Sequence, residues 1–90
     1  MPSSRTGRTF HHALDCKYMN CNGVIACLDQ KIHQISNMEI IMLETTDVHT
    51  PNAIPAYCQV TQNKYLPPLE HVPDPYNPNY IIFTHFIKKL

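Results

Sequence analysis

The chain has 90 residues, with seven basic and seven acidic side chains and a formal net charge of zero. This length limits it to one domain with a small core. A neutral chain lacks the basic surface with which nucleic-acid-binding proteins hold phosphates, and it has no electrostatic means of holding an anionic membrane. Its apolar runs are also shorter than the roughly 20 residues of a membrane-spanning helix. We therefore expect neither nucleic acid nor a membrane as a partner.

The N-terminus and the cysteines indicate the compartment. Four cysteines occur in a chain with no secretory signal near Met1, which is typical of an intracellular, cytoplasmic protein with reduced thiols. Residues 1–8 are polar and are predicted to be a disordered leader. Arg5 and Arg8, with no acidic residue before Asp15, are also compatible with organelle import, which is the alternative.

Apolar spacing predicts two short helices after the leader. The first is expected to begin at the N-cap Thr9 and to stop at Asn22-Gly23. Its apolar residues recur every three or four positions, at Phe10, Leu14, Tyr18 and Cys21. The second helix follows directly, and its apolar stripe consists of Ile25, Leu28, Ile32 and Ile35.

The second half of the chain favours strands. Residues 38–46 are apolar without a clear period and are predicted to form a strand, with an extension of the second helix as the alternative. Pro51 and Pro55 are predicted to mark turns, and the alternating residues 57–61 a short strand. Residues 66–79 carry five prolines in 14 positions and should lack regular structure. Residues 80–87 are β-branched and aromatic, typical of a strand.

Together these elements predict a small α+β fold: two short N-terminal helices followed by two or three short strands, with a proline-rich extended segment before the last strand. The expected organisation is a disordered leader (1–8), a small α+β core (9–61), the proline-rich segment (62–79) and a C-terminal strand (80–90). If the proline-rich segment displaces the last strand, that strand can pair with another chain.

Cysteine and histidine side chains concentrate in residues 11–33. Zinc takes four nitrogen or sulfur ligands in a tetrahedron, and the predicted ligand set is His12, Cys16, Cys21 and Cys27, with Cys58 able to replace Cys27. The order Cys16, Cys21, Cys27 and His33 resembles that of a CCCH zinc finger. However, two of its three gaps differ from that family, and on one helix Cys27 and His33 would lie about 120° apart. Half-buried packing residues are the competing interpretation of these cysteines.

A short motif lies near the C-terminus. Residues 77–80, NPNY, match the N-P-x-Y pattern recognised by phosphotyrosine-binding-type domains. Asn-Pro opens a tight turn that presents the tyrosine, so Asn77, Pro78 and Tyr80 are the candidate partner-binding residues. The alternative is a turn that only starts the last strand.

No catalytic motif is present. The chain has neither a glycine-rich phosphate loop nor a G-x-S-x-G elbow, and the Asp47 and His49 pair is typical of a solvated loop. We therefore expect no enzyme and no cofactor other than zinc. The leading hypothesis is a small non-enzymatic interaction or accessory protein with a protein partner, such as a peripheral subunit of a larger assembly. The alternatives are a zinc-stabilised small domain and a recently arisen reading frame without a settled function.

Overall fold

The computed structural model describes residues 7–90 of the chain. These residues form a mixed sheet of five strands with two helices on one face. In chain order the elements are β1 (His12–Cys16), α1 (Cys21–Gln34), β2 (Ile40–Thr45), α2 (Thr50–Thr61), β3 (Lys64–Leu66), β4 (Val72–Pro73) and β5 (Ile81–Lys88). The strand order is β1-β2-β5-β3, and β4 also pairs with β5. Strand β1 is parallel to β2, whereas β5 is antiparallel to β2, β3 and β4.

Helix α1 forms because its sequence combines an apolar stripe that faces the sheet with a polar residue at the N-cap position. Val24, Leu28 and Ile32 recur at helical spacing and are buried against the sheet. The Asn20 side chain accepts a hydrogen bond from the Gly23 backbone N–H at 2.8 Å, which satisfies one of the unpaired donors of the first turn. The second predicted helix is therefore confirmed, although its cap is Asn20 and its first turn contains the Asn22-Gly23 pair.

Helix α2 forms in spite of two prolines. Pro51 lies in the first turn, where a backbone N–H would have no helical partner. Pro55 lies inside the helix and loses one backbone hydrogen bond. Ile54 and Cys58, four positions apart, are both fully buried in the core, and their burial offsets this loss.

Strand β5 occupies the centre of the sheet, between β2 and β3. Its side chains alternate between the two faces, so that Ile87 joins the core beneath the helices while Phe86 points to the opposite face. On that opposite face Phe86 packs with Phe10 and Met42, and the Arg8 guanidinium lies 4.2 Å from the centre of the Phe86 ring. Both faces of β5 are thus covered.

The small α+β class is confirmed, but the predicted order of elements is wrong. The segment predicted as the first helix contains β1, because Leu14 and Cys16 alternate toward the helix face of the sheet and pair with β2. The strand predicted at 57–61 is part of α2. The strands predicted at 38–46 and 80–87 correspond to β2 and β5. Instead of two or three strands, residues 7–90 form five.

The sequence predicted a disordered leader and no membrane-spanning helix. The predicted disordered leader falls mainly on residues 1–6, which lie outside the described residues. Neither helix within residues 7–90 is both long and apolar enough to span a bilayer.

Candidate functional site

Three loops meet at the edge of the sheet where the parallel strands end. Strands β1 and β2 both run toward this edge, and their last paired residues are Cys16 and Thr45. Thr45 also pairs with Phe83, so the beginning of β5 lies at the same edge. We call the loops 17–20, 46–49 and 74–80 at this position the carboxyl edge. Carboxyl ends of parallel strands are a common place for binding sites, because loops and helix N-termini converge there.

Two backbone-to-side-chain hydrogen bonds join the first two loops. The Tyr18 N–H donates to the Thr46 hydroxyl at 2.8 Å, and the Cys21 N–H donates to Asp47 Oδ2 at 2.8 Å. Tyr18 adopts a left-handed backbone conformation (φ 68°), which is uncommon for a residue with a bulky side chain. The loop is held in this shape, so the side chains of Tyr18 and Cys21 occupy defined positions.

The proline-rich segment supplies the third loop. The Tyr18 hydroxyl donates to the carboxylate of Asp74, a buried residue, and the Tyr76 N–H donates to the same carboxylate at 2.9 Å. The Tyr18 hydrogen bond is the main reason that the pKa of Asp74 lies below its usual range, and it also raises the pKa of Tyr18. The rings of Tyr18 and Tyr80 meet edge to face, with centroids 5.2 Å apart. The segment is therefore fastened to the carboxyl edge.

Large side chains remain exposed around this contact. Tyr76 is 92% exposed, Tyr18 53% and Tyr80 39%. Ile81 and Val72, on the adjoining strands β5 and β4, are also among the exposed large hydrophobic residues. Tyrosine is enriched at protein interfaces because its ring supplies contact area and its hydroxyl a hydrogen bond. The carboxyl edge is thus an aromatic surface open to solvent.

Cys21 is the first residue of α1 and directly follows loop 17–20 of the carboxyl edge, and its side chain is partly exposed. The positive end of a helix dipole favours negative charge, although the Asp47 carboxylate already accepts the Cys21 N–H here. The arrangement presents a partly exposed cysteine at the N-terminal end of a helix, next to the Asp47 carboxylate.

The other cysteines differ in their surroundings. Cys16 and Cys58 are each 1% exposed, and burial raises the pKa of both thiols to about 11. Since the thiolate is the reactive form, these two cysteines are packing residues at neutral pH. Cys27 is partly exposed in the middle of α1. After burial, its side chain is a further cause of the raised pKa of the Cys16 thiol. Cys21 is therefore the one partly exposed cysteine at the carboxyl edge.

The predicted zinc ligands are dispersed. His12, at the start of β1, lies with its Nε2 3.0 Å from the Glu39 carboxylate, while Cys21 lies beyond the other end of β1, at the start of α1. Cys27, a partly buried residue of α1, is a neighbour of the buried Cys16. Among residues 7–90 no group of three or more His, Cys, Asp or Glu side chains could hold a metal ion. The zinc set stays a prediction that the described geometry does not support.

The predicted partner motif forms a turn at the carboxyl edge. The Tyr80 N–H donates to the Asn77 carbonyl at 3.0 Å, and the Asn79 N–H donates to the Asn77 side-chain oxygen at 3.3 Å. Pro78 is exposed within this turn. The turn thus brings Asn77, Pro78 and Tyr80 to the same edge as Cys21, and their role in partner binding stays a prediction.

Sequence reasoning missed the surroundings of Cys21, since it placed that residue inside a helix. Asn20 is a good N-cap residue immediately before Cys21, and that signal could have located the start of α1. The roles of Tyr18, Asp47 and Asp74 depend on long-range contacts that have no local pattern. No protein-family profile and no curated protein matches the chain.

Proposed function

We propose that the chain is a small non-enzymatic accessory protein that binds a protein partner at the carboxyl edge and presents the Cys21 thiol to it. The observation that carries this proposal is the convergence of a partly exposed thiol with three exposed tyrosines on one edge of the sheet. The predicted partner motif, residues 77–80, belongs to the same edge.

The tyrosines favour a protein partner over a small molecule. Tyr18 is fixed by its hydrogen bond to Asp74 and its contact with Tyr80, so little conformational entropy is lost when a partner covers it. Tyr76 projects almost fully into solvent and can enter a pocket of the partner. An aromatic surface with a defined shape is a property of interaction sites.

Exchange at sulfur is a reaction that a partly exposed thiol can carry out without a general base from its own chain. In such a step the Cys21 thiolate attacks a sulfur of a partner disulfide or persulfide, and a new sulfur–sulfur bond forms as the partner's bond breaks. The departing sulfur keeps the bonding electron pair and takes up the proton that Cys21 released. This chemistry needs only a reachable thiolate and a sulfur leaving group, and no acid–base residue of the chain takes part.

Reactivity is tested with an aromatic disulfide reagent, 5,5′-dithiobis(2-nitrobenzoate), on the folded chain. The fast phase of thionitrobenzoate release should disappear in C21S and persist in the matched variant C27S, because Cys27 lies in the middle of α1. A fast phase that is unchanged in C21S would refute the assignment of the reactive thiol.

Docking is tested separately, by non-reducing electrophoresis of tagged chain after incubation with extract of the source cells. C27S should form a reducible adduct with a specific protein, and C21S should not. Y76S should lose most of the adduct, whereas V60S should keep it, because Val60 is 83% exposed but lies near the far end of α2. Equal adduct formation by Y76S and V60S would show that the carboxyl edge is not the docking surface.

A further inference from the structure

A groove of about 270 Å³ lies between strand β1 and helix α1. Leu14 of β1 lines one side, and four residues of α1 line the other: Cys27, Gln30, Lys31 and Gln34. Their spacing of three and four positions places these four side chains on one face of the helix. Cys27 is partly exposed, so a small solute that enters the groove meets a thiol.

A second thiol lies beside Cys27, in the interior. Leu14 and Cys16 are two positions apart on β1 and point to the same face of the sheet, and Leu14 and Cys27 both pack against the core cluster that contains Cys16. The Cys16 and Cys27 side chains also form a hydrogen bond with each other. Cys16 is 1% exposed, so a solute in the groove reaches the sulfur of Cys27 and not that of Cys16.

We propose that Cys16 and Cys27 are a redox site, which a small acidic disulfide such as oxidised glutathione converts to an internal disulfide. First, the Cys27 thiolate attacks one sulfur of the small disulfide. A mixed disulfide forms, and the other half leaves as a thiolate that takes up the proton released by Cys27. Next, the Cys16 thiol gives up its proton and its sulfur attacks the Cys27 sulfur, which forms the internal bond and releases the second small thiol with that proton. The pair thus loses two electrons and two protons, and the small disulfide gains them.

Closure of the internal bond is the slower step. Burial, together with the neighbouring Cys27, raises the pKa of the Cys16 thiol to about 11, which leaves little thiolate at neutral pH. The contact between the two side chains compensates, because the second step takes place within one molecule. Cys16 is therefore inert toward solutes but can react with its neighbour. Capture at Cys27 is also slower than the reaction of Cys21, since the groove restricts the direction from which a disulfide can approach.

Lys31 determines which small disulfide is favoured. Apart from the thiol, it is the one ionisable residue among the described residues that line the groove, and it lies one turn from Cys27. It attracts a disulfide that carries carboxylates and repels one that carries ammonium groups. The two glutamines offer amide hydrogen bonds to the same carboxylates. Because Lys31 is partly exposed, solvent screening limits this preference to roughly threefold in rate.

The test uses the reduced C21S chain, so that the thiol at the carboxyl edge takes no part and the outcome does not depend on the proposed function. Trypsin releases Cys16 in peptide 9–17 and Cys27 in peptide 18–31. After incubation with oxidised glutathione and blocking of free thiols, mass spectrometry should find glutathione on peptide 18–31 first, and then a disulfide between the two peptides. Reaction that stops at the glutathione adduct would overturn the proposal, as would a disulfide that joins peptide 18–31 to any other peptide of the chain.

Two variants in the C21S background separate the two steps. C16A should stop at the mixed disulfide on Cys27, because no second sulfur displaces the glutathione. C27S should give neither the adduct nor the internal bond. It replaces a partly exposed side chain, so it keeps the proposal testable if the change at the buried Cys16 prevents folding. Glutathione on Cys16 in C27S would show that Cys27 is not the point of entry.

The role of Lys31 is tested by comparing oxidised glutathione with cystamine, a small disulfide with two ammonium groups. In C21S the adduct on Cys27 should form roughly threefold faster with oxidised glutathione, and K31A should remove most of this difference. K64A, a matched change at an exposed lysine of β3 outside the groove, should keep it. Equal rates for the two disulfides in C21S would overturn the choice of an acidic disulfide.

Discussion

The buried imidazole of His85 should make the stability of the fold depend on pH above the range in which carboxylates titrate. Burial lowers the pKa of His85 from 6.5 to about 4, so the folded chain holds the neutral ring. An imidazole in the unfolded chain takes up a proton near pH 6.5. The stabilising contribution is therefore complete above pH 6.5 and is lost as the pH falls toward 4. At about 1.4 kcal/mol per pH unit, the free energy of unfolding should decrease by about 3 kcal/mol over this window.

Carboxylates act at lower pH. Hydrogen bonds and ion pairs hold the pKa values of Asp15, Glu39 and Asp74 below their usual range. Their contributions are present above the pKa values of the unfolded carboxyls and are lost only as the pH falls through the lower, folded values. The interval between pH 6.5 and pH 4.5 therefore reports mainly the imidazole.

Urea unfolding of the unaltered chain, H85F and Y65F at several pH values between 7.5 and 4.5 measures this effect. H85F should show little change in the free energy of unfolding across the interval, because it has no imidazole to titrate. Y65F removes the hydroxyl beside Nδ1 but keeps the ring buried, so it should retain most of the pH dependence. If the curves of H85F and the unaltered chain fall in parallel, burial of a neutral His85 is not the cause.

Three further outcomes are expected for the core and for α1. L28A should lower the free energy of unfolding in urea by about 3 kcal/mol, since Leu28 is fully buried, whereas V60A at an exposed position should change it by less than about 0.5 kcal/mol. Cys16 and Cys58 should resist iodoacetamide at pH 8 in the folded chain and react once urea unfolds it, as peptide mass spectrometry would show. N20A should cost about 1 kcal/mol by removing the cap of α1, and equal stability of N20A and the unaltered chain would contradict the capping role.

The sequence predicted elements well where one period dominated. The stripe through Leu28 and Ile32 identified α1, and the β-branched and aromatic residues 80–87 identified the strand observed as β5 (Ile81–Lys88). The prediction for the β1 segment was wrong because Phe10, Leu14 and Tyr18 recur every four positions, as in a helix. The strand that pairs with β1, which is β2, lies more than 20 residues further along the chain. It failed for α2 because prolines were interpreted as turns, although Pro51 is tolerated in a first turn and burial of Ile54 stabilises the rest.

The candidate site was predictable only in pieces. The turn at residues 77–80 follows from Asn-Pro and could be expected locally. The approach of that turn to Tyr18 depends on the pairing of β5 with β2, which no local pattern specifies. Cys21 was selected for its chemistry as a zinc ligand, and its position at the start of α1 became visible only when β1 replaced the expected first helix.

The central position of β5 has a consequence for how the chain acquires its structure. The parallel pair β1 and β2 can form around α1 early, but the register that joins Ile40 to Lys88 and Thr45 to Phe83 closes a loop of about half the chain. Contacts between such distant residues slow folding, because the entropy of the loop is lost before the strands gain their pairing. During synthesis, the edge of β2 that pairs with β5 therefore stays unpaired until β5 has been synthesised. Point changes in β5 should slow refolding more than equally destabilising changes in α1.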